Sequence, residues 1–126
     1  MALGSRIFLV AGALALLLAA IFGAYGAHGL QGSLSPADWN AYQTAVQYQF
    51  FHGLGLIVTA LVAERYPSSG LIKASGWLLL AGIVFFCGAI FATSFGAPES
   101  IGALAPIGGS AFMLGWLALG LGAARA

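Results

Sequence analysis

Two histidines are the side chains in this chain that come nearest to chemistry. His28 lies in Gly23-Ala24-Tyr25-Gly26-Ala27-His28-Gly29-Leu30, and His52 follows the polar stretch Gln47-Tyr48-Gln49. Both sit in uncharged, mostly apolar runs, where an imidazole can ligate a metal or haem, hold a small ligand, or close a hydrogen bond. A site shared by both rings is disfavoured by distance. At 1.5 Å per helical residue His52 falls about 12 Å below the outer membrane edge, at least roughly 10 Å from His28 along the normal. No carboxylate lies in the spans, and Cys87 is the only thiol, so no metal ligand set can be completed. No metal and no cofactor are expected. The plainer role is a neutral imidazole hydrogen-bonded to a neighbouring helix.

Other polar groups lie at the same end. Thr44, Tyr48 and His52 share one helical face at i, i+4 and i+8, with Gln43 and Gln47 on the adjacent face. Thr93 and Ser94 lie at the outer end of the third helix, and Ser110 one turn into the fourth. In an antiparallel bundle these ends meet, which predicts an outer cluster of His28, Gln47, Tyr48, His52, Thr93 and Ser110. Such a cluster either closes the bundle by mutual hydrogen bonds or lines a cavity for a small ligand. Catalysis has no footing here: the chain holds no acid pair, no nucleophile beside a base and no phosphate loop. The chain is read as a non-enzyme. An ion-coupled carrier would show an intramembrane carboxylate or a broken helix, and neither is visible.

The elements that position these groups follow from charge. Only seven of 126 residues are charged: Arg6, Asp38, Glu64, Arg65, Lys73, Glu99 and Arg125. They leave four uncharged runs, 7–37, 39–63, 74–98 and 100–124, each long enough for the ~20 residues that a span requires. With 61% hydrophobic residues, 6% charged and a mean hydropathy of +1.00, a 12.8 kDa chain cannot hide its apolar surface in a water-soluble core. The expectation is all-α: one integral membrane domain over residues 1–126, a four-helix antiparallel bundle with helices at about 5–30, 36–65, 71–95 and 106–124. The apolar start also resembles a signal peptide, but it continues to Leu30, and a first membrane helix is the better reading. All four basic residues fall on one side if both termini are cytoplasmic, so N-in/C-in is expected from the positive-inside bias. A net charge of +1 offers no basic patch, and no nucleic-acid partner is expected.

Local signals place the helix ends. Ser35-Pro36-Ala37-Asp38 reads as an N-cap, a proline in the first turn and an acid able to reach back. Helix 2 is then about 45 Å long, more than the ~30 Å hydrocarbon layer, and Trp39 and Tyr42 suit the headgroup belt. Residues 96–105 are only half polar and are expected to dip into the interface. Nineteen glycines call for close helix packing. Ala15, Ala19, Gly23 and Ala27 recur every four residues as a small-residue stripe on helix 1, a face for packing within the bundle or for a second copy.

The segment 23–30 resembles the signature of the family catalogued as domain of unknown function 423. Tyr42-Gln43-Thr44-Ala45-Val46-Gln47-Tyr48-Gln49, His52-Gly53-Leu54, Phe86-Cys87-Gly88-Ala89-Ile90-Phe91 and Pro106-Ile107-Gly108-Gly109 agree in order. That family often has a small hydroxyl residue after Phe86, where this chain has Cys87. The resemblance implies a small four-helix protein of the bacterial inner membrane, draws attention to His28 and His52, and supplies no reaction. The leading expectation is action through the bundle, on membrane lipid, in a homo-oligomer or beside a membrane-protein partner. The alternative is a binder or conduit for a small ligand in an outer-leaflet polar cavity.

Overall fold

The computed structural model describes residues 1–126 as four long helices and no strands. They are α1 (Leu3–Leu30), α2 (Pro36–Arg65), α3 (Gly70–Ser94) and α4 (Glu99–Arg125), each long and apolar enough to cross a bilayer. Short connections make neighbours antiparallel. The outer turns are closed by the chain's two positive-φ residues, Gly32 (φ 94°) and Gly96 (φ 105°). At Gly96 the Ala97 N–H reaches the Ala92 carbonyl (2.9 Å) and the Gly96 N–H the Thr93 carbonyl (3.2 Å), the paired 6→1 and 5→2 bonds that glycine permits at a helix end.

Helix starts follow side-chain caps. Ser35 Oγ accepts the Asp38 N–H (3.1 Å), and Ser69 Oγ accepts the Ile72 N–H (3.3 Å), so α3 begins one residue before Leu71. The half-polar connection before Pro106 is a 3₁₀ turn, Glu99–Leu104, that passes into the α-helix at Ala105. A five-residue π turn ends α1 at Gly26–Leu30, and another interrupts α3 at Ile83–Cys87.

The bundle is a rhombus. α2 and α3 form its short diagonal and bury the largest share of their residues, while α1 and α4 take the far corners. The seam of α1 differs from the expected stripe. Its buried residues are Ser5, Phe8, Gly12, Ala15 and Ala19, continuing to Gly26. Of the every-fourth-residue set, Ala15 and Ala19 are buried, Gly23 is half-buried and Ala27 is exposed. Steps of four drift about 40° each around a helix, whereas alternating threes and fours average 3.5 residues and stay on the partner.

Glycines serve as sockets for large side chains. A Cβ on Gly82 would meet the Phe112 ring, one on Gly76 the Phe8 ring, and one on Gly108 the α3 backbone at Phe85 and Phe86. Close approach of this kind supplies the dispersion contact that lipid-embedded helices need in place of a hydrophobic drive.

Candidate functional site: a lateral aromatic groove

The outer polar residues do not converge. His28 is exposed on the π turn of α1. Gln47 is exposed and lines a shallow concavity of about 310 Å³ between α1 and α2, beside Gly23, Ala27 and Trp39. Thr93 faces a different hollow of about 280 Å³ between the outer ends of α2 and α3, where Asp38 and Glu99 also lie. Ser110 is exposed.

Nor do these groups satisfy one another across helices. Ser110 Oγ donates to the Pro106 carbonyl (2.9 Å), Thr93 Oγ1 to Ile90 (3.0 Å) and Thr44 Oγ1 to Asn40 (3.0 Å). His52 Nδ1 lies 2.7 Å from the Tyr48 carbonyl one turn back on its own helix. Each hydroxyl or ring thus bonds within the turn that carries it, a geometry every helical Ser, Thr or His has within reach. The expected bond from His52 to a neighbouring helix is absent.

The side chains that do bridge helices are ones the sequence reading assigned to no such role. Gln49 Nε2 donates to the Ala15 carbonyl of α1 (2.9 Å), and Tyr42 Oη donates to the Phe22 carbonyl. Cys87 Sγ contacts the Ala45 carbonyl at 3.4 Å. Tyr42 is only 1% exposed, so it is a core residue and not a member of the headgroup belt; Trp39 stacks on it at 5.8 Å. Tyr42, Ala45, Gln49, Leu56 and Ala63 are among the buried residues of α2, and their 3–4–7–7 spacing was the available signal.

Two of the six expected site residues do share a place. Tyr48 and His52, with Phe86 of α3 and Gly109, Phe112 and Trp116 of α4, line a groove of about 560 Å³ that opens sideways from the bundle. The His52 ring stacks on Phe112 at 3.6 Å and 17°, and Tyr48 stacks on Phe86 at 5.1 Å and 22°. Trp116 stands 5.7 Å from His52 and occupies the space left by Gly55. The π turn of α3 carries Phe86, and Gly108 on the facing helix rests on its backbone, so the closest approach of α3 and α4 sets one wall. No group of three or more His, Cys, Asp or Glu side chains assembles anywhere in the fold.

Comparison with known proteins agrees on what kind of chain this is. The family model described as "Protein of unknown function (DUF423)" matches residues 22–109. UPF0382 membrane protein YwdK of Bacillus subtilis is 38% identical over 120 residues, covering 95% of this chain and 98% of the relative. UPF0382 membrane protein SERP0230 of Staphylococcus epidermidis is 41% identical over 114 residues, covering 90% and 92%. No solved structure matches. Four apolar helices of spanning length and relatives named as membrane proteins agree, and the chain is an integral membrane protein that belongs to the DUF423 family.

Proposed function

We propose that this protein is a non-enzymatic component of the bacterial inner membrane that works by holding a membrane-soluble molecule in the groove between α2 and α4. One observation carries the reading. Tyr48, His52, Phe86, Phe112 and Trp116 line a concavity open to the side between helices of spanning length, where a ~30 Å hydrocarbon layer around the bundle would leave only lipid in reach. The groove offers stacking surfaces and few polar atoms, the character of a ligand site more than of a reaction centre. Gly109 leaves room there: a Cβ on it would approach only Phe86 Cδ1, at 3.8 Å. Gly109→Leu therefore fills the groove without disturbing the helix contact. Native mass spectrometry of the chain released from its own membrane should show a retained lipid-soluble molecule that Gly109→Leu loses at unchanged melting temperature. Equal retention by both proteins would overturn the reading.

The orientation we propose is N-in/C-in. Arg6, Arg65, Lys73 and Arg125 all stand at the end of the bundle opposite Asp38 and Glu99, the asymmetry expected of short cytoplasmic connections. A cysteine at Ser33 should react with an impermeant thiol reagent in spheroplasts, and one at Ser69 should not. The opposite pattern would reverse the orientation and move the groove to the inner leaflet.

A further inference from the structure

We infer that the groove binds a quinol: a planar, uncharged, membrane-soluble ring that donates a phenolic hydrogen to Nε2 of His52. The inference rests on reading the groove as a site for a membrane-soluble molecule and names its chemistry.

The tautomer comes first. Nδ1 of His52 lies 2.7 Å from the Tyr48 carbonyl, and a carbonyl can only accept, so this hydrogen bond assigns the ring proton to Nδ1. Nε2 then presents a lone pair. The residue is only 7% exposed, yet Nε2 has no donor within the protein and is not fully enclosed, Thr59 Oγ1 being the one enclosed side-chain polar atom without a partner. Hydrocarbon supplies no water to satisfy such an acceptor. A ligand with a hydroxyl does.

Shape narrows the ligand further. Two stacked pairs, His52 on Phe112 and Tyr48 on Phe86, present flat faces, and Trp116 lies beside them. Tyr48 is 37% exposed and its phenol bonds to no other protein group, so it can accept or donate at the second hydroxyl of a para-substituted ring. The lateral opening leaves a path for an apolar tail into the bilayer.

Depth then chooses among hydroxylated lipids. Counted from Thr44, His52 is eight residues down, or about 12 Å at the helical rise, close to the middle of a ~30 Å layer. Charged and zwitterionic headgroups are held at the surface by their hydration, and a long amphiphilic alcohol anchors its hydroxyl there too. A neutral quinol ring carries its hydroxyls on an otherwise apolar head and can descend. The oxidised quinone has carbonyl acceptors only, which would face the Nε2 lone pair without a hydrogen between them. The groove therefore discriminates the reduced from the oxidised form by binding alone.

Isothermal titration calorimetry tests this on the full chain in nanodiscs of phosphatidylethanolamine and phosphatidylglycerol, under anaerobic reducing conditions for the quinol. The probes are a short-chain naphthoquinol, its naphthoquinone, its dimethyl ether and a sterol. The quinol should bind about tenfold more tightly than the quinone or the ether, the ratio one buried hydrogen bond supplies, and the sterol should not compete. His52→Phe keeps a ring against Phe112 and removes the acceptor, so it should abolish the preference while leaving the helical circular dichroism unchanged. Equal affinities in the natural chain, a preference that survives His52→Phe, or competition by the sterol would each overturn the assignment. If Gly109→Leu releases a retained lipid while the quinol shows no preference, the groove binds lipid and its ligand class is wrong. If Gly109→Leu releases nothing, the site itself fails.

Discussion

The α1–α2 and α3–α4 seams hold antiparallel helices together by different means. Between α1 and α2, Gln49 and Tyr42 donate to the carbonyls of Ala15 and Phe22, and at the inner end the Ala2 N–H reaches Glu64 (3.1 Å). That last contact lays a carboxylate on one of the amide donors left over at the start of α1, where negative charge is favoured. Between α3 and α4 no side chain bonds across at all. Gly82, Gly108, Gly115 and Gly122 instead admit Phe112, the α3 backbone, Leu79 and Ile72. Hydrogen bonds between membrane helices average only about 0.6 kcal/mol, so the dry seam is no weaker a solution, but it depends wholly on shape. The comparison also sorts the polar side chains of α2. Tyr42 and Gln49, turned toward α1, are used up by the fold, and Tyr48 and His52, turned toward α4, are left for a ligand.

A single methyl group should separate the two seams most sharply. Gly108→Ala forces a Cβ into the backbone at Phe85 and Phe86, which cannot yield as a side-chain tip would; we expect a loss of about 2–4 kcal/mol. At Gly12 a Cβ would stand 2.7 Å from the Gly53 carbonyl and 2.8 Å from Ile57 Cγ1, but here the bridging hydrogen bonds keep the hairpin paired as it adjusts. Gly12→Ala should therefore cost less. Thermal unfolding of both in matched detergent decides it, and a larger loss at Gly12 would end the distinction between a stitched and a dry seam.

Smaller effects sharpen the same contrast. Gln49→Leu removes one bond across the stitched seam and leaves the Ala15 carbonyl within its own helix, so the loss should be about 1 kcal/mol. Ser110→Ala, on the dry side, removes a hydroxyl that serves only its own helix and should fall within roughly 0.5 kcal/mol of the natural chain. Equal melting temperatures for the two variants would show that the Gln49 bond stabilises nothing.

Spans were legible in the sequence because lipid enforces them: charge ends a span, and the Ser35-Pro36 pair starts a helix in any solvent. Which face of a span meets its neighbour was not. In water an apolar stripe marks the buried side, but these helices are apolar all round, and that signal is gone. Gln47 and Gln49 illustrate the cost. They stand two residues apart and so roughly 200° apart on the helix; the first was chosen for the site and is exposed, while the second is 4% exposed and bonded to α1. His52 and Tyr48 were found because an imidazole and a phenol stand out in an apolar run. Phe86, Phe112 and Trp116 were missed as site residues because aromatics in a membrane helix are unremarkable until a glycine opposite them is located.

The π turn of α3 takes up about one residue more than an α turn, which sets everything beyond Cys87 back by roughly 100° from where an unbroken α-helix of the same sequence would hold it. Phe91, one turn on, meets Phe22 at 4.6 Å and Tyr42 at 5.4 Å only in that set-back phase. A chain shorter by one residue between Ile83 and Cys87 would close into a plain α-helix whose two halves still keep time, whereas a chain that kept every residue but lost the wide turn would swing its outer aromatics toward lipid. Here the helix has absorbed an insertion, and a deletion would be forgiven where a straightened turn of the same length would not.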